Sequence, residues 1–371
     1  MKKIAIVITS TGWGGLEMNT IKLAQQFVKL EHDILFITTE NTRIYEEGKK
    51  VFHKVRTLRS PKKYFDFKNA LKLSVILKQE NIDNVIIINN KDIDLLSITK
   101  KLFYKKLKII YQQQMQVGVN KKDIIHTLRY KALQYWICPL PYLKKEVIEK
   151  TNFPPERIKI IPLGINVEKF AAAKYNKPEA LQKLDIKNKL PLLGIIGRID
   201  RKKGQDFLIK AVAELHKRNI NVELLIFGSP TINDADGKRY FLELKKLVTE
   251  ENLEEIVHFR ENSNDVLQFY NAIDIFALAS YSETFGMVTV EAMAAKLPIV
   301  ASNKGGSPEI LGNGKFGLLY EYENINSFCE KVEWILLNPG MAKEMAALAQ
   351  EEAVNNYSEI TIAKKISELI S

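Results

Sequence analysis

Cysteine is scarce in this chain, which has two cysteines in 371 residues, Cys138 and Cys329. They lie far apart and in none of the spacings that bind zinc, so a reducing compartment is favoured over a disulfide framework. Long apolar runs are missing as well, since no stretch approaches the roughly eighteen apolar residues of a membrane span. Five apolar residues follow Lys2-Lys3, too few for a secretion signal, and we interpret them as a buried first strand. We therefore expect a cytoplasmic protein.

Acidic residues are in short supply in the first half of the chain. Residues 1–165 contain 30 Lys and Arg against 15 Asp and Glu, a net charge of +15, whereas the whole chain carries +11. Cations alternate with aromatic residues in two runs, 59–68 and 100–108, a pattern typical of helices at acidic lipid headgroups. This adds peripheral contact with the inner face of the cell membrane as an expectation. A compositional bias towards lysine is the alternative; nucleic acid is not expected, because no DNA- or RNA-binding motif accompanies the charge.

Strand-like apolar runs alternate with amphipathic helical patterns along the whole sequence. This alternation predicts parallel sheets with crossover helices, and the length suits two doubly wound α/β domains. The predicted strands are 4–8, 34–38, 85–88, 109–111 and 158–161 in the first half, and 192–196, 222–227, 275–278 and 298–301 in the second. A proline and a glycine after 158–161 put the domain boundary near Pro162–Asn166. We predict domains at 1–165 and 166–352, followed by a C-terminal segment at 353–371.

Two glutamates, Glu283 and Glu291, lie eight positions apart around a turn that leads into a helix. A short apolar strand precedes the turn, and apolar residues recur at helical spacing after Gly286. The N–H groups of Gly286, Met287 and Val288 then form a helix N-terminus, which suits an anion. Taken alone, the same pair is also explained as a helix cap and a solvated surface residue. The rest of the sequence decides between the two.

Two cations, Arg198 and Lys203, follow a predicted strand about ninety residues earlier and lie between Gly197 and Gly204. Ligands bind at the carboxyl ends of strands in open α/β sheets, and glycines let the backbone approach them closely. A guanidinium grips two phosphate oxygens and an ammonium adds a compact charge, so a phosphate site is predicted here in preference to a solvated cationic turn. Gly228 ends the next strand and is predicted to approach the same ligand.

Together these segments resemble the donor site of the family-4 glycosyltransferases of the GT-B fold, whose pattern is G-R-x4-K-G followed by E-x-[FG]-G-x4-E. Three further landmarks of that family, at 14–15, 161–166 and 305–309, occur in the same order, so the resemblance covers nearly the whole chain. It implies two Rossmann-like domains facing a cleft, the first on the acceptor side and the second binding a nucleotide sugar. It also implies that the C-terminal helix returns to the first domain.

The resemblance further implies retaining, hexosyltransferase-type transfer of a sugar from a nucleoside-diphosphate donor to a hydroxyl of a glycan or lipid-linked acceptor. No metal ion and no cofactor are expected, and the implied setting is assembly of cell-surface polysaccharide, lipopolysaccharide or glycolipid. Transfer is assigned by resemblance to Arg198, Lys203 and Glu283, with Glu283 on the sugar hydroxyls and Glu291 on the ribose. The implied donor-binding residues are Gly14, Gly15, Gly197, Gly228, Thr284, Phe285, Gly286, Met287, Val288 and Glu291.

The sequence signals for the acceptor side are less specific than those for the donor site. Glycines at 12, 14 and 15 follow the first strand and open a helix, and the spacing is not that of a dinucleotide-binding dehydrogenase. Glu17 in this loop and His126 are acceptor-side candidates. Many relatives place a histidine after the strand 109–111, where this chain has Gln114, and glutamine offers hydrogen bonds but takes no proton.

Other interpretations remain at this point. Asp92 and Asp94 match a metal-binding D-x-D, but they begin a predicted helix, where aspartate is favoured as a cap. A nucleotide-sugar epimerase would share the fold but needs an acid and a base beside the sugar. A non-catalytic nucleotide-sugar-binding protein is the other alternative, because of Gln114.

Overall fold

A computed structural model describes residues 1–60, 62, 65–187, 189–231, 234–261, 263 and 265–370. Its strands are β1 (Lys3–Ile8), β2 (Asp33–Thr39), β3 (Val55–Leu58), β4 (Asn84–Ile87), β5 (Lys108–Gln112), β6 (Tyr135–Cys138), β7 (Ile158–Ile160), β8 (Leu192–Ile196), β9 (Glu223–Phe227), β10 (Val257–Arg260), β11 (Ile275–Leu278), β12 (Ile299–Ser302) and β13 (Leu318–Tyr320). Its α-helices are α1 (Gly15–Lys29), α2 (Arg43–Val51), α3 (Phe67–Gln79), α4 (Asp92–Ile98), α5 (Ile124–Tyr130), α6 (Pro141–Lys150), α7 (Val167–Ala171), α8 (Lys177–Lys183), α9 (Gln205–Lys217), α10 (Ala235–Glu250), α11 (Leu267–Ala272), α12 (Met287–Ala294), α13 (Ser307–Ile310), α14 (Ile325–Leu337), α15 (Pro339–Asn356) and α16 (Glu359–Glu368).

The first sheet has seven parallel strands in the order β3-β2-β1-β4-β5-β6-β7. Helices cover both of its faces: α1, α2 and α16 pack on one, and α3 to α6 on the other. Central strands are therefore apolar throughout, and the five residues Ile4 to Ile8 have no exposed surface. Burying one such isoleucine stabilises the fold by about 1.5–3 kcal/mol.

The second sheet has six parallel strands in the order β10-β9-β8-β11-β12-β13. The order reverses beside β8, so β8 and β11 are neighbours although α9 to α11 and two strands separate them in the chain. Their carboxyl ends lie at the position where open α/β sheets bind ligands. The predicted class, α/β with two doubly wound parallel sheets, is confirmed.

Contacts divide the chain into two units. One comprises residues 1–164 together with the segment that begins at Glu359, and the other is Ile165–Ser358. The sequence predicts that the last segment begins at residue 353, whereas α15 continues to Asn356. None of the helices in the described part of the chain combines the length and the apolar composition that a transmembrane segment needs.

The two basic runs do not form the helices that the sequence pattern suggested. Residues 99–103 form a short π-helix, and the run 100–108 ends at the first residue of β5. In the run 59–68 a helix begins only at Phe67, and Pro61, Lys63 and Tyr64 lie outside the described residues. The cations of the two runs are therefore distributed over several elements.

Candidate functional site

The loop after β8 carries the two predicted phosphate-binding cations. Gly204 has a positive φ of 73°, and a Cβ there would lie 2.4 Å from the backbone oxygen of Ala279, so only glycine lets the loop approach the end of β11. Arg198 is largely exposed, with its guanidinium 3.8 Å from Asp200. Lys203 is about a quarter exposed and ends a single turn of 3-10 helix. The loop thus holds both cations near the carboxyl end of the strand.

Lys203 and Glu283 form an ion pair across eighty residues of sequence. The Lys203 Nζ lies 2.8 Å from Glu283 Oε2, and the two side chains are 25% and 19% exposed. The loops that carry them are also joined by a backbone hydrogen bond, in which the N–H of Tyr281 donates to Lys202 at 2.9 Å. The structure therefore brings together two of the three residues predicted to act in transfer.

The turn at 305–306 holds the backbone of Glu283. The Gly306 N–H donates to the Glu283 carbonyl at 2.8 Å. Gly305 has φ 60°, and a Cβ there would lie 2.4 Å from the same carbonyl oxygen. Helix α13 begins at Ser307, and the buried hydroxyl of Ser307 has no hydrogen-bond partner among the described residues.

Helix α12 begins beside Glu283. Gly286 precedes it with φ 83° and accepts hydrogen bonds from the N–H groups of Thr289 and Val290. Met287 and Val288 are the first two residues of the helix, so no preceding turn offers a carbonyl to their N–H groups, which is the usual state of a helix N-terminus. Thr284 is half-buried beside them.

The Phe285 side chain belongs to the core. Its ring is 3% exposed and packs edge-on against Tyr357, with 5.9 Å between ring centroids. What this position presents to a donor is therefore its backbone. Its donor-binding role stays a prediction.

Glu291 accepts a hydrogen bond from a tyrosine that the sequence analysis did not single out. The Tyr270 hydroxyl lies 2.7 Å from Glu291 Oε2. Burial raises the pKa of Tyr270 well above its ordinary value, and the Glu291 carboxylate raises it further, so the hydroxyl remains a proton donor. This contact fixes one carboxylate oxygen of Glu291 from the core side. No sequence signal connects two residues on different helices in this way.

Two of the predicted donor-binding glycines pack against each other. A Cβ on Gly228 would lie 1.8 Å from the carbonyl oxygen of Gly197, which no backbone adjustment of a few tenths of an ångström can relieve. Packing alone therefore requires glycine at Gly228. Its predicted contact with the donor is an additional role that this packing does not test.

The glycines at the start of α1 are different. A Cβ on Gly15 would meet nothing within 4 Å, and one on Gly14 would meet only Glu17, at 3.7 Å. Internal packing among the described residues thus leaves open space at both positions, as a close approach by a ligand would need. Glu17 is 5% exposed, and its Oε1 accepts a hydrogen bond from the Ser10 hydroxyl.

Asp92 holds the beginning of this glycine loop. Its carboxylate is fully buried and accepts hydrogen bonds from the N–H of Thr9, at 3.1 Å, and from the Thr9 hydroxyl. Burial raises the pKa of Asp92 to about 7, although the Thr9 hydrogen bonds lower it. The expected capping role is wrong: Lys91 occupies the cap position, and the Asp94 carboxylate pairs with Arg129.

Gln114 is half-buried just after β5, at a narrow cavity of about 20 Å³ that Asn19 and Glu359 also line. The neighbouring Gln113 is buried, and its Oε1 accepts hydrogen bonds from Trp136 Nε1 at 2.9 Å and from the Cys138 thiol at 3.3 Å. A larger cavity of about 210 Å³ lies on this side of the strand ends.

That larger cavity is lined by residues of the first unit. Its lining includes Leu16, Asn90, Gln113 and Met115. His126 does not line it; its Nδ1 lies 2.5 Å from Asp123 Oδ2 at the start of α5. Within the described residues no three His, Cys, Asp or Glu side chains cluster as a metal site requires, and metal independence stays a prediction.

Two family models match the chain in the order in which the two units occur. The model described as Glycosyltransferase Family 4 matches residues 13–169, and the one described as Glycosyl transferases group 1 matches residues 176–352. The chain belongs to the family-4 glycosyltransferases.

Relatives of this glycosyltransferase differ in how much of their length it matches. It is 29% identical over 213 residues to a D-inositol 3-phosphate glycosyltransferase of Corynebacterium jeikeium, and it spans 50% of that protein. It is 24% identical to the N-acetylgalactosamine-N,N'-diacetylbacillosaminyl-diphospho-undecaprenol 4-alpha-N-acetylgalactosaminyltransferase of Campylobacter jejuni, with 98% of each chain covered.

Solved structures of glycosyltransferases share the fold. A glycosyltransferase from Rickettsia africae aligns with a TM-score of 0.86 at 21% identity, covering 99% of this chain and 97% of the other. Anabaena Alr3699/HepE in complex with UDP and glucose aligns with a TM-score of 0.78 at 20% identity, covering 98% of each chain. The predicted GT-B class and the predicted family are confirmed.

Proposed function

We propose that this glycosyltransferase moves a sugar from a nucleoside-diphosphate donor to a hydroxyl of a glycan or lipid-linked acceptor, with retention and without a metal ion. The observation that carries the proposal is the contact between Lys203 and Glu283. A cation for a diphosphate and a carboxylate for sugar hydroxyls meet at the carboxyl ends of β8 and β11, beside the N-terminus of α12. A nucleotide sugar presents these two chemistries side by side.

In the proposed reaction the bond between the anomeric carbon and the diphosphate oxygen breaks, and the acceptor oxygen bonds to the anomeric carbon on the same face of the sugar. Negative charge grows on the leaving diphosphate. Arg198, Lys203 and the first N–H groups of α12 are the fixed donors that stabilise it. The acceptor's proton passes to the leaving diphosphate. Glu283 orients the sugar and Glu291 the ribose.

The relatives guide the choice of substrates. UDP and glucose occupy the Anabaena structure, and the name of the Campylobacter relative includes a diphospho-undecaprenol-linked acceptor. We therefore take uridine nucleotides as the first donor class to test and lipid-linked glycans as the first acceptor class. The larger cavity beside Gln113 is the proposed acceptor-side surface of the first unit, and the open space at Gly14 and Gly15 is where we propose that the donor diphosphate and the acceptor approach the loop.

The positive charge of the first unit supports a membrane-linked acceptor. A bilayer with acidic lipids attracts each nearby lysine or arginine by about 1 kcal/mol. Residues 1–165 carry a net charge of +15. We propose peripheral contact with such a bilayer at the inner face of the cell membrane, and assembly of a cell-surface glycan there.

Thermal stabilisation by a panel of uridine, guanosine and adenosine diphosphate sugars tests the donor proposal. A ligand at a hundred times its dissociation constant adds about 2.7 kcal/mol of stability, so the matching nucleotide class should raise the melting temperature clearly. Lys203→Met should lose this shift. Lys202→Met is the matched control, because its side chain is the exposed neighbour of Lys203, and it should keep the shift. A panel without any stabilising nucleotide sugar would overturn the proposal.

A further inference from the structure

Helix α3 exposes an apolar stripe to solvent. Phe67, Leu71 and Val75 are 49%, 50% and 44% exposed, and they follow one another at intervals of four residues. Residues at this spacing share one side of a helix. The opposite side of α3 is buried against the sheet through Leu73 and Leu77. The exposed stripe therefore contributes nothing to the core of the first unit.

Helix α5 is apolar on its solvent side as well. Ile124, Ile125 and Leu128 are 78%, 56% and 48% exposed, whereas Tyr130 is the buried residue of this helix. A surface helix normally presents its polar residues to water. In α5 the more apolar residues are the exposed ones, which marks the helix as part of an interaction surface.

The π-helix at 99–103 joins these two surfaces. The Thr99 hydroxyl donates to the Ala70 carbonyl of α3 at 3.4 Å, and Lys101 Nζ donates to the Leu128 carbonyl of α5 at 2.7 Å. Leu102, in the same π-helix, is 59% exposed. The exposed apolar residues of α3, the π-helix and α5 therefore lie on the same side of the sheet, and we call this surface the α3–α5 face.

The segments that form the α3–α5 face are rich in lysine and poor in acidic residues. Helix α3 contains three lysines and no acidic residue. Residues 99–131 contain nine Lys and Arg, of which Arg129 pairs with Asp94 of α4, and a single acidic residue, Asp123, which pairs with His126. Apolar side chains combined with lysines match the boundary of a bilayer that contains acidic lipids. A second copy of the chain would bring the same positive charge against this face, so self-association is disfavoured.

We propose that the α3–α5 face docks on an anionic lipid bilayer, with its apolar side chains among the headgroups and its lysines on the acidic phosphates. The inference rests on the proposed function only through the membrane-linked acceptor, and it is independent of the donor site. The proposed surface is not limited to the basic runs 59–68 and 100–108, because the apolar residues of α5 lie outside both runs.

Sedimentation of the full chain with vesicles is the first test. Wild type should bind vesicles of acidic phospholipid and remain in solution with vesicles of phosphatidylcholine alone. Ile124→Ser with Ile125→Ser should lower the partition coefficient about tenfold, and Leu71→Ser with Val75→Ser should act in the same direction. The matched control is Leu242→Ser in α10 of the second unit, 66% exposed, which should bind as wild type.

A fluorescent label reports contact directly. Both native cysteines are buried, so a cysteine introduced at an exposed position reacts selectively. An environment-sensitive dye on Ile125→Cys should shift to the blue with acidic vesicles. The same dye on Leu242→Cys should not shift.

Unaltered binding of both serine variants, together with an unshifted dye at position 125, would overturn the inference. So would a wild-type protein that ignores acidic vesicles, or one whose α3–α5 face mediates concentration-dependent self-association. Nucleotide-sugar stabilisation, measured on the same variants, should match wild type. A failure of the donor proposal would therefore appear in that measurement and leave the vesicle result untouched.

Discussion

Replacing Glu283 by glutamine should have opposite effects on binding and on turnover. Without a donor, the Lys203 ammonium contacts the Glu283 carboxylate at 2.8 Å. An incoming diphosphate therefore shares the Lys203 ammonium with the Glu283 carboxylate. The negative charge of that carboxylate also repels the diphosphate. Glutamine removes the charge and keeps the shape, so a free nucleoside diphosphate should bind more tightly. Transfer should slow, because an amide orients the sugar hydroxyls less strongly than a carboxylate does.

The expected size of the affinity change follows from the exposure of the Lys203–Glu283 ion pair. Both side chains are partly exposed, at 25% and 19%, so water screens their attraction. Exposed ion pairs are worth about 0.2–1 kcal/mol, which converts to a gain in nucleoside-diphosphate affinity of about 1.4- to 5-fold. A charge-assisted hydrogen bond is worth about 1.5–3 kcal/mol, so turnover should fall about 10- to 150-fold.

Calorimetric titration with the nucleoside diphosphate and initial rates with the full donor measure the two effects. Lys203→Met should weaken both binding and turnover, the latter by about 10²–10³. Glu243→Gln is the matched control: it removes a carboxylate that pairs with Arg201 of the same loop, and it should change neither quantity. If Glu283→Gln weakened diphosphate binding as much as Lys203→Met does, Glu283 would have to contact the nucleotide, and the assigned roles would be wrong.

Three further changes test other parts of the structure. Glu291→Gln should weaken binding of the free nucleoside diphosphate about tenfold if the carboxylate holds the ribose, and a titration measures this. Gly228→Ala should destabilise the protein by about 3 kcal/mol or more, because its Cβ would meet the Gly197 oxygen; denaturant unfolding of this variant is compared with that of Gly340→Ala, where a Cβ meets nothing within 4 Å. Burial raises the pKa of Asp92 from the ordinary 3.8 to about 7, so the folded protein holds this proton more tightly than the unfolded chain does. The contribution of Asp92 to the free energy of unfolding is therefore complete below pH 4, and it falls by about 1.4 kcal/mol per pH unit as the pH rises to 7. Asp92→Asn should flatten that part of the curve of stability against pH.

The sequence predicted most of the strands that are buried on both faces, together with the edge strand β7, but it missed the interior strand β6 and the other edge strands. Runs such as Leu192–Ile196 and Ile275–Leu278 are continuous apolar segments, and the structure has them with the same bounds. Edge strands β3, β10 and β13 were not predicted. Val55–Leu58 and Val257–Arg260 mix apolar with charged residues, since an edge strand has one partner and more solvent. Leu318–Tyr320 has only three residues, too few for a periodic signal.

The site could be predicted only where its residues are close in sequence. Local patterns located the Gly204 turn, the Gly286 turn and the start of α12. The partners could not be predicted, because Lys203 meets Glu283, and Glu291 meets Tyr270, through the packing of distant loops and helices. The resemblance supplied the chemical roles of these residues, and the structure supplies the contacts.

The glycines of the chain differ in whether folding alone explains them. Gly204, Gly228 and Gly305 have neighbouring backbone atoms where a Cβ would be, so folding alone explains glycine there. Gly14 and Gly15 have open space, and Gly14 has extended backbone dihedrals that any residue adopts. Folding does not explain glycine at these two positions. We infer that alanine at Gly14 or Gly15 should leave stability nearly unchanged and should impair the reaction. The start of α1 is then a part of the first unit where function, and not folding, requires glycine.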